Sequence, residues 1–188
     1  MLGYPDRSLD ELKATVGSAE TLGHPLTLAQ ALCWAALVHI VRHEPSAAAD
    51  YAGRALKISE EQRIAQWHPF ALCVAGWALG VSGESEKGLA QIGQGLDSYV
   101  GVSRHMLLAL QADAQLAIGK PEAALASVAV GLEVTEKMVG APLGAELYRL
   151  KGRPATGEVR RKPPSAHRGS NWSTLKRHYA WVRPGGRS

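Results

Sequence analysis

The sequence predicts an all-α protein built from stacked helical hairpins, and three observations support this fold class. A turn phrase followed by small residues returns along the chain at steps of 40, 40 and 36 residues. Apolar residues recur at spacings of three and four, which is the period of one helix face. No useful stretch of period-two alternation appears, so we expect no strands. Steps of this size are typical of helix–turn–helix units that bury their apolar faces by stacking on one another.

The equivalent points of the recurring turn are Pro5, Pro45, Ser85 and Pro121. Each repeat therefore divides into a first helix, the turn and a second helix. Three of the second helices carry an apolar stripe at helical spacing: Leu9, Leu12, Val16 and Ala19 in the first, Leu89, Ile92, Leu96 and Tyr99 in the third, and Leu125, Val128 and Leu132 in the fourth. These stripes predict one buried face on each second helix.

The first helices are predicted over three ranges: 27–41, 70–81 and 104–118. Pro25 and Pro69 stand where two of them would begin, and proline is tolerated there because its missing N–H has no partner in the first turn. Gly83 and Gly119 stand where first helices should end, where a residue in the left-handed conformation closes the helix.

Two regions follow from this pattern and from the charge. We expect a helical repeat domain over 1–152, with a half-repeat at the N-terminus and a broken repeat near 143–152. It holds 12 Lys+Arg and 16 Asp+Glu, a net charge of −4. Residues 153–188 hold 9 Lys+Arg and one acid, a net charge of +8.

The basic tail, 153–188, is rich in Arg, Pro and Gly and has few aliphatic residues, so we expect it to be disordered. Two origins stay open for it. It is either a genuine basic extension or the out-of-frame translation of a GC-rich gene, since these three residues have GC-rich codons.

The hydropathy pattern predicts a cytoplasmic protein without a membrane partner. The longest apolar run, Ala31–Val41, is much shorter than the roughly 20 residues that a spanning helix needs. The first residues carry no basic segment followed by an apolar one, so no secretory signal is expected.

The two cysteines, Cys33 and Cys73, are 40 residues apart, so both should occupy one position on successive first helices. A disulfide or a shared metal is geometrically conceivable between neighbouring helices. The absence of an extracellular signal favours the simpler interpretation, in which a small apolar side chain is used twice at one packing position.

Specific phrases in the repeats resemble a known family. The run Gly119–Leu125, Gly-Lys-Pro-Glu-Ala-Ala-Leu, looks like a tetratricopeptide repeat. Four further segments resemble the C-terminal array of large bacterial signalling ATPases, which are often fused to a nucleotide cyclase or to a DNA-binding regulator domain: Gly23–Pro25, Arg42–Pro45, Gly76–Leu79 and Ala145–Gly152. The resemblance covers about residues 1–152.

This resemblance implies a right-handed solenoid of helical hairpins that serves as a fragment of a larger bacterial signalling or regulatory protein. In that family the array follows a nucleotide-binding module. The chain has no Gly-x-x-x-x-Gly-Lys-Ser/Thr motif, so neither ATPase nor cyclase activity follows from the resemblance.

Motifs that would indicate an enzyme or a metal site are weak. His39 and His43 lie four residues apart on a predicted helix and could supply two zinc ligands, with Glu44 nearby. A site needs a third protein ligand, and none stands at repeat spacing. A histidine near a helix C-terminus is also favoured by the helix dipole. We expect no catalysis, no cofactor and no bound metal.

The favoured function is a protein–protein interaction module whose first helices line a concave surface for a peptide or for a neighbouring domain of the parent regulator. Candidate contact residues are Gln30, His39, Trp67, Gln111 and Gln115. Trp34 and Trp77 stand among Ala, Leu and Val, so we expect them to fill space between helices. The end helices lack the polar outer faces that usually cap such arrays, which predicts marginal stability or self-association.

The alternative function is nucleic-acid association through the tail, for which the simpler interpretation is a charged, disordered or mistranslated extension; nucleic acid is therefore not the expected main partner. Basic residues interleaved with aromatic ones can neutralise phosphates and stack on unpaired bases. The tail residues of this kind are Arg160, Arg161, Lys162, Trp172, Lys176, Arg177 and Trp181.

Overall fold

In the computed structural model, residues 5–136 and 144–156 are described, and they form eight helices. Their bounds are α1 Pro5–Leu22, α2 Pro25–Val41, α3 Pro45–Glu61, α4 His68–Ser82, α5 Ser85–Ser98, α6 Arg104–Ala117, α7 Pro121–Glu136 and α8 Gly144–Thr156. No strand occurs in these two ranges, so the predicted all-α class is confirmed.

The three described turns inside the hairpins share one geometry. His43, Gly83 and Gly119 have positive φ angles of 57°, 114° and 72°. The next residue in each turn donates its N–H to a carbonyl five residues back: Glu44 to His39 at 2.9 Å, Glu84 to Leu79 at 3.1 Å and Lys120 to Gln115 at 2.9 Å. This bond closes the last turn of each first helix. The recurring phrases at 44, 84 and 120 are therefore matching corners.

The helices form two layers in the described part of the chain. The first helices pack in a row, α2 on α4, α4 on α6 and α6 on α8, whereas the backbones of the second helices α1, α3, α5 and α7 pack against first helices. Ten of the seventeen residues of α2 are buried, as are nine of the fifteen residues of α4. The first-helix layer therefore holds most of the core, and a helix apolar on nearly every side belongs in such an interior position.

The predicted helix bounds agree with the observed ones to within two residues. Pro25 is the first residue of α2, and the side chain of His24 accepts a hydrogen bond from the backbone N–H of Thr27 at 3.3 Å. Pro69 is the second residue of α4, which begins at His68. Both prolines occupy the first helical turn, where a backbone N–H has no intrahelical acceptor, so the missing donor costs no hydrogen bond.

The last described helix passes the predicted boundary at residue 152. α8 continues through Arg153 and Pro154 to Thr156. Arg153 is held in place because its guanidinium Nη1 donates a 2.8 Å hydrogen bond to Asp113 Oδ1 on α6. The remainder of the predicted tail, 157–188, lies outside the described residues. Among the described helices, none is long and apolar enough to cross a membrane.

Candidate functional site

Four aromatic rings form a continuous row across two consecutive repeats, α2–α3 and α4–α5. Trp34 lies on α2, Trp67 caps the N-terminus of α4, Phe70 lies in the first turn of α4, and Tyr99 caps the C-terminus of α5. Trp34 contacts Trp67 edge-on at 6.4 Å between ring centroids, and Phe70 lies 5.8 Å from Trp34, 5.6 Å from Trp67 and 6.1 Å from Tyr99. These separations are those of favourable aromatic pairs.

Phe70 is the anchor of this aromatic row. It is completely buried, whereas Trp34, Trp67 and Tyr99 are each partly exposed. Phe70 is the chain's single phenylalanine and stands 40 residues after Gln30, so it occupies in α4 the register that Gln30 has in α2. The arrangement fixes three partly exposed rings on one rigid base.

The loop between α5 and α6 adjoins the aromatic row and displays two apolar side chains. Val100 is 99% exposed and Val102 is 76% exposed. The Tyr99 ring folds over Gly101 so closely that a Cβ atom on Gly101 would lie 2.6 Å from Tyr99 Cζ. We name Tyr99–Ser103 the valine loop; it is held beside the row by Tyr99.

Arg104 fixes the start of the valine loop. Its guanidinium Nη1 donates to the Leu96 carbonyl at 2.6 Å and to the Tyr99 carbonyl at 3.4 Å. Those carbonyls belong to the C-terminal turn of α5, where a cation is favoured by the helix dipole. The valine loop is therefore attached to α5 by a charge-assisted contact.

The five candidate contact residues from the sequence occupy different environments. Trp67 belongs to the aromatic row. Gln30 is exposed on α2, four residues before Trp34 of that row. Gln111 and Gln115 lie on α6, where their Oε1 atoms accept hydrogen bonds from the Ser127 hydroxyl at 3.1 and 2.9 Å. These two glutamines join α6 to α7 within one hairpin.

His39 is buried, with 5% of its surface exposed, so its side chain stays out of the candidate site. Its imidazole stacks on Tyr51 of α3 at 5.2 Å, and its Nδ1 lies 2.7 Å from Glu44 Oε2. Its Nε2 atom has no hydrogen-bond partner among the described residues. Partial burial raises the pKa of Glu44, but hydrogen bonds from Arg42 and His39 outweigh it and leave that pKa below the ordinary value.

The two cysteines are buried in the core as free thiols. Burial raises the pKa of Cys73 to about 12, and burial together with the neighbouring Cys73 raises the pKa of Cys33 still further. A thiolate is the nucleophilic form of cysteine, so neither residue is activated for catalysis. In the described parts of the chain, no group of three or more His, Cys, Asp or Glu residues is placed to hold a metal ion.

The seven candidate nucleic-acid residues of the tail lie outside the described residues: Arg160, Arg161, Lys162, Trp172, Lys176, Arg177 and Trp181. Comparison with models of known protein families and with curated proteins finds no match for this chain. The candidate site accordingly rests on geometry alone.

Sequence analysis missed most members of this site. The sequence identified Trp67, but it placed Trp34 in the core and Tyr99 in the buried stripe of its helix, and it did not single out Phe70 or the two valines. A usable signal existed in the repeat register, since Phe70 replaces Gln30 at an equivalent position. The contact of Phe70 with Tyr99, at the end of α5, follows only from the packing of α4 against α5.

Proposed function

We propose that this chain is a non-catalytic protein–protein interaction module that binds a peptide or a neighbouring domain across the aromatic row and the valine loop. The observation that carries this proposal is the juxtaposition of three partly exposed rings on Phe70 with two valines that are 99% and 76% exposed. Trp and Tyr are enriched among residues that dominate binding energy. Adjacent exposed apolar side chains mark surfaces that a partner covers.

The aromatic row suits binding because its rings are ordered before a partner arrives. Trp34 and Trp67 are both in contact with the buried Phe70. Ordering a side chain on association costs roughly 0.5–1.5 kcal/mol, and prearranged rings avoid much of that loss. The large apolar surface of these rings can then contribute to binding affinity.

Finer features of the proposal draw on the resemblance and on composition. We take the stack as a tetratricopeptide-like solenoid of right-handed superhelical twist, followed by a disordered basic tail. We also assign it to the cytoplasm, as part of a larger bacterial signalling or regulatory protein. The repeated corners and the Gly119–Leu125 phrase support the repeat class.

A peptide-display selection against the immobilised chain tests the proposed binding surface. A selected peptide is synthesised with a fluorophore, and its affinity is measured by anisotropy. The double variant Val100→Ser/Val102→Ser should weaken binding at least about tenfold, which corresponds to about 1.4 kcal/mol. Trp67→Ala should weaken it more, since it removes one ring of the row.

The matched control is Leu125→Ser/Val130→Ser on α7. These residues are also exposed, at 39% and 46%, but lie outside the row and the loop. This control should bind the peptide as tightly as the unchanged chain, and circular dichroism should show that all variants keep their helices. If the valine-loop variant and Trp67→Ala both bind normally, the proposed surface is wrong.

The basic tail supports nucleic-acid association as the alternative function. Its clustered cations would release counterions from a phosphate backbone, so affinity would fall steeply with salt. The test replaces Arg160, Arg161 and Lys162 with Gln in the full chain and measures binding to a single-stranded oligonucleotide across a salt series. An unchanged affinity and salt slope would refute this alternative.

A further inference from the structure

One edge of the stack carries both the aromatic row and the valine loop. Short connections join each second helix to its neighbours, so α3, α5 and α7 run antiparallel to α4 and α6. The last turns of these second helices therefore lie at the same edge as the first turns of α4 and α6. Trp67 and the valine loop stand in the middle of this edge, and all of its helices belong to the interior of the described chain.

The acidic side chains of this edge are only partly neutralised by described residues. Four exposed acids in the last turns of α3, α5 and α7 form no ion pair with another described residue: Glu60, Asp97, Glu133 and Glu136. Lys57 lies 3.9 Å from Glu61, and the Arg104 guanidinium is bound to two backbone carbonyls. Arg63, in the α3–α4 loop, is the remaining cation among the described residues of the edge. The edge therefore combines exposed apolar side chains with a surplus of negative charge.

The chain itself contains a segment that complements this edge. Beyond Thr156, large apolar residues recur at spacings of three, four and three: Trp172, Leu175, Tyr179 and Val182. These spacings are those of one helix face. We name residues 172–183 the tail segment; it holds three Lys+Arg, no Asp or Glu and no proline. An isolated helix of this length is marginal in water, so its apolar stripe needs a surface that covers it.

The tail segment is tethered within reach of this edge. Arg153 of α8 donates to Asp113, which lies four residues before the end of α6, so α8 ends beside the C-terminal turns of α6. The valine loop precedes α6 and is therefore one helix length away, about 21 Å for 14 residues. The 15 residues between Thr156 and Trp172 can span up to about 50 Å. That length also covers the further step of about 10 Å from α6 to α4.

We propose, on the basis of the proposed function, that the tail segment packs as an amphipathic helix on the valine loop and the aromatic row of its own molecule, so that a partner must displace it. Its apolar stripe lies against Val100, Val102 and Trp67, and its cations lie beside the acidic last turns of α3 and α5. Amphipathic helices bind apolar grooves through anchors at such spacings. Tethering supplies an effective concentration in the millimolar range, so a weak contact is enough to fill the surface.

The contact is tested in the full chain with a fluorophore-labelled synthetic peptide of residues 170–184. The tail variant, Leu175→Ser/Tyr179→Ser, breaks the apolar stripe of the tethered copy. Anisotropy should show that the peptide binds the tail variant at least about tenfold more tightly than the unchanged chain, whose own tail segment occupies the surface. Adding Val100→Ser/Val102→Ser to the tail variant should weaken peptide binding at least about tenfold.

Matched controls show whether the stripe and the surface are specific. Adding Leu125→Ser/Val130→Ser to the tail variant should leave peptide binding unchanged, because these residues lie on α7, outside the valine loop and the aromatic row. Within the peptide, Leu175→Ser should weaken binding at least about tenfold. Trp181→Ser, on the opposite side of the helix from Trp172, should not. Circular dichroism should show that all full-chain variants keep their helices.

The peptide selected by display separates failure of this contact from failure of the proposed function. It should bind the tail variant at least about tenfold more tightly than the unchanged chain. Equal affinity for both, lost on Val100→Ser/Val102→Ser, would overturn docking of the tail segment and leave the proposed function intact. Valine-dependent binding of the tail peptide, without any selected peptide, would support the docking and refute the role in binding a separate partner.

Two further results would overturn the contact. One is binding of the tail peptide that is equal for the unchanged chain and the tail variant, or that ignores the valine substitutions. The other comes from sedimentation velocity over about a hundredfold range of concentration. The unchanged chain and the tail variant should show the same state of association. A dimer that only the tail variant loses would place the tail segment on a second copy instead of its own molecule.

Discussion

The indole Nε1 of Trp77 on α4 donates a 2.9 Å hydrogen bond to Oδ2 of Asp113 on α6. Arg153 of α8 donates to the other oxygen of the same carboxylate at 2.8 Å. The three residues stand 36 and 40 residues apart, so they occupy one register position in successive first helices. A single buried carboxylate therefore links three first helices within a mostly apolar layer.

Replacing this carboxylate should destabilise the whole stack. Asp113→Asn keeps the shape and an acceptor for Trp77, but leaves the guanidinium of Arg153, only 14% exposed, without its charged partner. We expect a loss of roughly 1–3 kcal/mol in the free energy of unfolding, measured by urea denaturation. The exposed Asp97→Asn on α5 is the matched control and should change stability little. An equal effect of both substitutions would contradict the role of the network.

The close approach of α4 and α5 predicts that two glycine-to-alanine variants of α5 differ in stability. A Cβ atom on Gly88 would lie 2.6 Å from the backbone N of Gly80, so Gly88→Ala must push the two helices apart. Overpacking of this kind costs about 1–3 kcal/mol. Gly93→Ala, on the same helix, meets no atom within 4 Å and should be neutral or stabilising, since alanine favours helix more than glycine. Thermal unfolding monitored by circular dichroism measures both.

The lowered pKa of Glu44 predicts a pH-dependent contribution to stability. A carboxyl group whose pKa is lower in the folded state stabilises that state above its unfolded pKa, near the ordinary value of 4.5. The contribution is lost as pH falls through the lower folded pKa. Because the Glu44 side chain is 38% exposed, we expect only about 0.5 kcal/mol.

The variant Glu44→Gln tests this by urea denaturation at several pH values. It should be less stable than the unchanged chain near neutral pH, and the two should converge in acid. Glu60→Gln, an exposed residue on α3, provides the control and should show no such convergence. A Glu44→Gln difference that is constant with pH would contradict the lowered pKa.

Burial of both thiols predicts that they are unreactive in the folded protein. With the pKa of Cys73 raised to about 12, almost no thiolate forms at pH 8. A disulfide-exchange reagent should therefore label neither cysteine until urea unfolds the chain. Rapid labelling of the native protein would show that the first-helix layer opens at Cys33 or Cys73.

Local signals made the hairpin corners predictable from sequence. Gly83 and Gly119 supply the left-handed residue after a first helix, and a serine or proline then starts the second helix two residues later. These preferences act over a few residues and need no tertiary partner. The helix bounds followed with small errors, apart from α8, where the pairing of Arg153 with Asp113 accompanies a longer helix.

The burial of individual side chains was harder to predict from the sequence. Trp34 and Trp77 have the same apolar sequence surroundings, yet Trp77 is 2% exposed and Trp34 is partly exposed. The difference arises because α4 has a first helix on each side and α2 has one among the described residues. The ring of His39, likewise, is covered by Tyr51 of α3, which stacks on it at 5.2 Å.

The sequence by itself determined the repeat period, the helices and the corners, because these depend on local conformational preference and on apolar spacing along one helix. Only the tertiary structure decided which side of each first helix is covered, how Phe70 gathers three other rings, and where Asp113 finds its partners. Most of those contacts join residues about one repeat apart, and their presence depends on which helix stands beside them.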